Sequence, residues 1–130
     1  MPDLLLIARE CRERIERASG QSSHITFQHF PHGACGDTSD LIARLLVERY
    51  ELPARYVFGL KDGHRSHAWV AIGSTIIDIT ADQFEDGMPS VFVGDGGEWH
   101  AAWRLKEERS HHMPAGWPMY PFEIWQELIR

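Results

Sequence analysis

Three side chains of complementary reactivity fall within one stretch of the sequence: a thiol at Cys35, an imidazole at His67 and a carboxylate at Asp78. A thiol attacks carbonyl carbon as its thiolate. An imidazole beside it takes the proton and returns it to a leaving group, and a carboxylate holds the imidazole in the useful tautomer. Together the three residue types describe acyl transfer through a thioester. Whether they can act together depends on the elements that carry them.

Cys35 opens an apolar-periodic run. Leu41, Ile42, Leu45, Leu46 and Tyr50 predict a helix from Cys35 to about Glu51. At its first turn the backbone N–H groups are unpaired and the helix dipole is positive, and both favour thiolate over thiol. Gly33, Ala34 and Gly36 are small and leave room for a substrate carbonyl beside the sulfur. Asp37 and Asp40 read as first-turn acids, with Asp40 solvated and Asp37 able to bond a neighbouring loop and fix the nucleophile turn.

After Leu52-Pro53 the period changes from helical to strand-like. Ala54–Leu60 reads as a strand ending at Gly59, and Lys61-Asp62-Gly63 as a turn. Ser66–Ile72 and Thr75–Thr80 read as the two arms of a hairpin joined by Gly73-Ser74. With a two-residue loop, Ile72 faces Thr75 and Trp69 faces Asp78, so His67, Trp69, Asp78 and Thr80 share one face. Asp78 is then the diagonal neighbour of His67 at roughly 7 Å, within reach of its ring. A slip of one residue would send Asp78 to the other face.

Four blocks, in order, carry a resemblance to a known family: Gly33-Ala34-Cys35, Leu52-Pro53-Ala54-Arg55-Tyr56-Val57-Phe58-Gly59, His67-Ala68-Trp69-Val70 and Asp78-Ile79-Thr80. The chain resembles the transglutaminase-like superfamily, as a minimal single-domain member of bacterial type. The resemblance covers about 48 of 130 residues. It implies an α+β fold with a papain-like core, the nucleophile helix packed on a small antiparallel sheet. It implies Cys35 as nucleophile, His67 as general base and acid, and Asp78 as the orienting carboxylate, with Trp69 and the Pro53–Gly59 strand as scaffold. The chain departs from the family pattern in its short His-to-Asp interval, its small size and its Asp-Ile-Thr where Asp-Pro-Thr is common. Papain-like enzymes often use a glutamine shortly before the nucleophile as an oxyanion donor. Gln28 stands seven residues before Cys35 and His29 six, and Gln28 is the candidate.

The remaining sequence frames this core. Residues 3–18 predict an amphipathic helix whose apolar stripe includes Cys11, read as a core thiol. Ser90–Val93 reads as a short strand, Trp99–Leu105 as a last strand, 109–118 as a loop and Pro121–Ile129 as a terminal helix. The expected domain spans residues 1–130, with extra helices at both ends. Trp99, Trp103, Trp117, Tyr120 and Trp125 crowd the last third and read mostly as core. Asp82 competes with Asp78 for the third position but lies beyond the predicted strand. The eight histidines include the adjacent His111-His112 but no metal-binding spacing, so no metal and no cofactor are expected.

A net charge of −6 argues against nucleic-acid binding, which needs a basic footprint. No segment approaches the ~20 apolar residues of a membrane span, and Leu4–Ala8 lacks the basic flank of a signal peptide. The expected setting is the cytoplasm, where Cys11 and Cys35 stay reduced. The expected activity is that of a cysteine peptidase or amidase acting on a peptide or protein amide. The alternatives are an acyl transferase of the same chemistry (transglutaminase or glutamine deamidase) and an inactive binding module on the same fold. A relic has no physical need for all three of Cys35, His67 and Asp78, which favours the enzyme.

Overall fold

A computed structural model describes residues 2–62 and 64–130, so Gly63 of the expected 61–63 turn lies outside the described residues. Helix α1 spans Leu4–Ser19. The Asp3 carboxylate accepts the Leu6 N–H at 3.1 Å, which satisfies one of the free donors of the first turn. Its buried stripe, Ile7, Ala8, Cys11 and Ile15, follows the predicted periodicity. Arg12 is buried with it and is paid for by specific partners: it donates to the Ile79 carbonyl at 2.7 Å and forks onto Asp82 at 2.7 and 2.9 Å.

Helix α2 spans Cys35–Tyr50 and buries Leu41, Ile42, Ala43, Leu45 and Leu46. Helices α3 (Glu98–Ala101) and α4 (Phe122–Ile129) complete the four α-helices among the described residues. None is long and apolar enough to cross a membrane.

The five strands are β1 (Arg55–Lys61), β2 (Arg65–Ile72), β3 (Thr75–Asp78), β4 (Phe92–Asp95) and β5 (Arg104–Arg109). They form one antiparallel sheet in the order β4-β3-β2-β1-β5. The architecture is therefore α+β. The β2–β3 register is the one a two-residue loop dictates: Val70 faces Ile77, Ala71 faces Ile76 and Ile72 faces Thr75. Gly73 supplies the left-handed conformation this turn needs, at φ +59°.

The two faces of the sheet bury different cores. Helices α1, α2 and α4 cover Ala54, Val70, Ile77 and Ile79 on one face. On the other, Val57, Trp69 and Trp103 pack with Ala71, Ile76, Phe84 and Trp99. Three sequence expectations are corrected here. The strand that was to end at Gly59 runs on to Lys61. Gly59 is needed for close approach, since a Cβ there would lie 3.1 Å from the Arg104 carbonyl and from the Trp103 Cβ. The returning arm expected at 75–80 stops at Asp78, because the Asp78 carboxylate accepts the Thr80 N–H at 3.1 Å and turns the chain out of the sheet. The strand expected at 99–105 is instead the turn of helix α3 followed by β5, which places Trp99, His100 and Trp103 on one side.

Candidate functional site

The turn before α2 aims Cys35. Gly33 is left-handed at φ +72°, and the Ala34 N–H bonds the Pro31 carbonyl. Gly33 donates its N–H to the Gln83 side chain at 3.2 Å, and the Gln83 amide donates to the Thr80 carbonyl at 3.0 Å. Gln83 thus ties the turn before Cys35 to the chain just beyond Asp78. The first helical bond runs from the Thr38 N–H to the Ala34 carbonyl, which leaves the N–H groups of Cys35, Gly36 and Asp37 without a partner among the described residues. Cys35 itself is a free, half-buried cysteine. Cys11 differs sharply: it is a core thiol whose pKa is pushed up to about 12 by burial.

The structure brings His67 to both other members of the expected triad. Its Nε2 lies 2.7 Å from Asp78 Oδ2. Its Nδ1 is buried without a hydrogen-bond partner among the described residues, and the Cys35 side chain is near enough to the ring to strengthen its hold on a proton. An Nε2–H donated to the carboxylate leaves the ring's lone pair on the unpartnered Nδ1. His67 is fully buried and would on that account resist protonation. The hydrogen bond to Asp78 and the Cys35 side chain outweigh burial, and its pKa rises to about 9. Asp78 moves the other way: burial opposes its charge, but the bonds from His100 and His67 hold its pKa down at about 2.

His100 is the member that sequence reasoning missed. Its Nε2 lies 2.8 Å from Asp78 Oδ2, the same oxygen that takes His67, and it is buried. Only an ionised carboxylate accepts two N–H donors on one oxygen while Oδ1 takes the Thr80 N–H. Rings enclose the group. Phe84, Trp99, Trp103 and Trp69 stand with centroids 5.1, 5.5, 5.5 and 5.7 Å from His67. This dry wall weakens solvent screening of the His67–Asp78 pair. A cleft of about 370 Å³ opens on the same face, lined by Trp69, Ile76, His100, Trp103 and Leu105. It borders neither Cys35 nor His67, so it is not where an acyl group would meet the sulfur.

His100 makes a stability prediction. His100→Leu removes one donor from a buried carboxylate, which raises the Asp78 pKa. A depressed carboxylate pKa stabilises the fold above the unfolded value near 4, and that stability is lost as pH falls through the folded value. The variant is therefore expected to unfold at a higher pH than the parent when acidified, and to melt several degrees lower at neutral pH. Circular dichroism across an acid titration reads both.

The other sequence candidates find different places. Asp82 is committed to Arg12 and takes no part with His67. Asp40 is not the solvated acid expected: it is buried, takes a two-pronged ion pair from Arg109 at 2.8 and 3.0 Å, and accepts the His112 N–H at 3.0 Å. Asp37 faces Thr26 of the preceding loop, and its carboxyl pKa is raised by burial, with Thr26 opposing. Gln28 is exposed, and its side chain makes no hydrogen bond among the described residues. Trp117 packs edge-on against Tyr120 at 4.9 Å. Among the described residues no cluster of three or more His, Cys, Asp or Glu side chains could hold a metal ion. Compared with known protein families, curated proteins and solved structures, the chain matches none.

Proposed function

We propose that the protein is a cysteine-dependent acyl-transfer enzyme, a hydrolase of amide bonds, built on a papain-like, transglutaminase-like core. The observation that carries the reading is the position of His67, bonded to Asp78 at 2.7 Å through Nε2 with the Cys35 side chain near the same ring. A raised His67 pKa favours an imidazolium beside Cys35 at neutral pH. In that pair the Cys35 sulfur attacks the carbonyl carbon and the electron pair moves onto oxygen. As the tetrahedral adduct collapses, the C–N bond breaks and His67 gives its proton to the departing amine. The thioester remains on Cys35. Neutral His67 then takes a proton from water as its oxygen attacks, and the carboxylic acid leaves with the thiolate restored. The substrate class is a peptide or protein amide, and the free state of both cysteines fits a reducing compartment such as the cytoplasm.

Differential alkylation tests the site. With iodoacetamide at pH 7, Cys35 is expected to label at least a hundredfold faster than Cys11, whose pKa near 12 leaves about one molecule in 10⁵ as thiolate. Peptide mapping of the labelled chain separates the two. Equal, slow labelling of both would point to a binding module without a poised nucleophile.

A further inference from the structure

An acyl-transfer site needs two donors for the developing oxyanion, and the helix start supplies the Cys35 N–H. The sequence puts Gln28 forward as the second donor, but Gln28 is exposed and its side chain makes no hydrogen bond among the described residues. We infer that the hydroxyl of Tyr56 is that donor, a catalytic residue which binds the carbonyl oxygen of the substrate opposite the Cys35 N–H. The inference rests on the proposed acyl transfer at Cys35.

Several observations converge on Tyr56. Its side chain comes from β1, across the sheet from Val70, and only 7% of the residue is exposed. Its hydroxyl lies 3.7 Å from where a Cβ on Gly36 would be, so the phenol points at the nucleophile turn itself. Gly36 adds no side chain there, and the space between hydroxyl and backbone stays open. The ring is buried, but the hydroxyl has no hydrogen-bond partner among the described residues and is not itself enclosed, so it reaches solvent beside the turn. A phenol hydroxyl that reaches solvent beside Cys35, with no partner in the protein, is open to a ligand atom.

The charge pattern suits an incoming anion. The Arg109 guanidinium stacks over the Tyr56 ring at 3.9 Å and is itself anchored by Asp40. Burial, with Asp40 and Cys35 adding to it against the pull of Arg109, pushes the Tyr56 pKa up to about 12. The phenol therefore keeps its proton at any working pH and is always able to donate it in a hydrogen bond. As the carbonyl oxygen becomes an alkoxide, the O–H bond to it strengthens, which is the differential that lowers a barrier. When the adduct collapses, the oxygen returns to a carbonyl and Tyr56 retains its proton, so no atom is exchanged.

Tyr56→Phe removes one oxygen and leaves the ring under Arg109. Acylation of Cys35 by p-nitrophenyl acetate passes through a tetrahedral oxyanion, whereas alkylation by iodoacetamide does not. The variant is expected to lose about a hundredfold in the acylation rate, with KM and the iodoacetamide rate within about twofold of the parent. Equal acylation by parent and variant overturns the assignment. A parallel fall in both rates also overturns it, because Tyr56 would then act on the thiol rather than on the oxyanion. If the parent neither acylates nor labels faster at Cys35 than at Cys11, the acyl-transfer reading itself fails, and the Tyr56 assignment falls with it. A reactive parent with an unaffected variant removes only the latter.

Discussion

Cys35→Ala is expected to abolish acyl transfer while leaving the fold in place. Loss of a nucleophile that works as a unit with its base costs about 10⁴–10⁶ in turnover, whatever the base still does. Cys35 is half-buried, sits at the first position of α2 and makes no hydrogen bond that the helix needs. Alanine is the better helix former, so thermal stability should hold or rise slightly. Release of p-nitrophenol under single-turnover conditions checks the loss, and a melting curve checks the fold. Cys11→Ala is the control: it opens a small core cavity and lowers stability, yet turnover per folded molecule stays. If Cys35→Ala retains turnover and Cys11→Ala does not, the nucleophile has been assigned to the wrong thiol.

The second large effect falls on the pH profile. In the parent, His67 donates to the leaving amine as an imidazolium, so the alkaline limb of kcat/KM is expected near pH 9. Asp78→Asn removes the charge that supports it. Burial then dominates, and the limb should drop by about two to three units, to around the ordinary histidine value near 6.5 or below it. The neutral amide also cannot satisfy the pocket. With its NH₂ at Oδ2 it meets two imidazole donors, and with its NH₂ at Oδ1 it meets the Thr80 N–H. Orientation of His67 is lost along with charge, and a fall of about 10³–10⁴ in kcat at pH 8 follows. A full pH–rate profile of both proteins is the measurement. An alkaline limb that stays near 9 in Asp78→Asn would show that Asp78 does not set the basicity of His67.

The same two groups give stability a window. His67, with a raised pKa, contributes fully below its unfolded value near 6.5, and the contribution is lost as pH rises through about 9. Asp78, with a lowered pKa, contributes fully above its unfolded value near 4, and the contribution is lost as pH falls through about 2. Both are in full effect only between about pH 4 and 6.5, so the most stable range lies on the acidic side of the expected activity.

What was legible in the sequence was local. The Gly73-Ser74 loop fixes the hairpin register by its length, and that register puts Asp78 within reach of His67 without knowledge of the rest of the chain. Periodicity was enough to start α2 at Cys35. What stayed hidden depends on pairings that no spacing announces. His100 reaches Asp78 from a segment whose aromatic residues suited a strand as well as a helix turn. Asp40 finds Arg109 69 residues away, and an acid at a helix start reads as solvated until the partner strand β5 is placed beside it. Tyr56 lay inside a block taken for scaffold, and only the closeness of β1 to Gly36 separates its hydroxyl from an ordinary core phenol. Gly59 gave a strand-end signal for a similar reason: the space it leaves is taken by Trp103, a residue far along the chain.

The two-residue β2–β3 loop divides the assembly of the site into unequal tasks. His67 and Asp78 are 11 residues apart, so hairpin closure alone brings base and carboxylate together. Cys35 lies about thirty residues before His67. Lengthening a closed loop from one separation to the other adds only about 1 kcal/mol of chain entropy. Chain connectivity thus does little to hold sulfur against ring, and the packing of α2 on the sheet must do it. His67 and Asp78 meet within one hairpin, to which α3 adds only His100, while Cys35 is a docked part whose alignment is only as good as the helix–sheet interface beneath it.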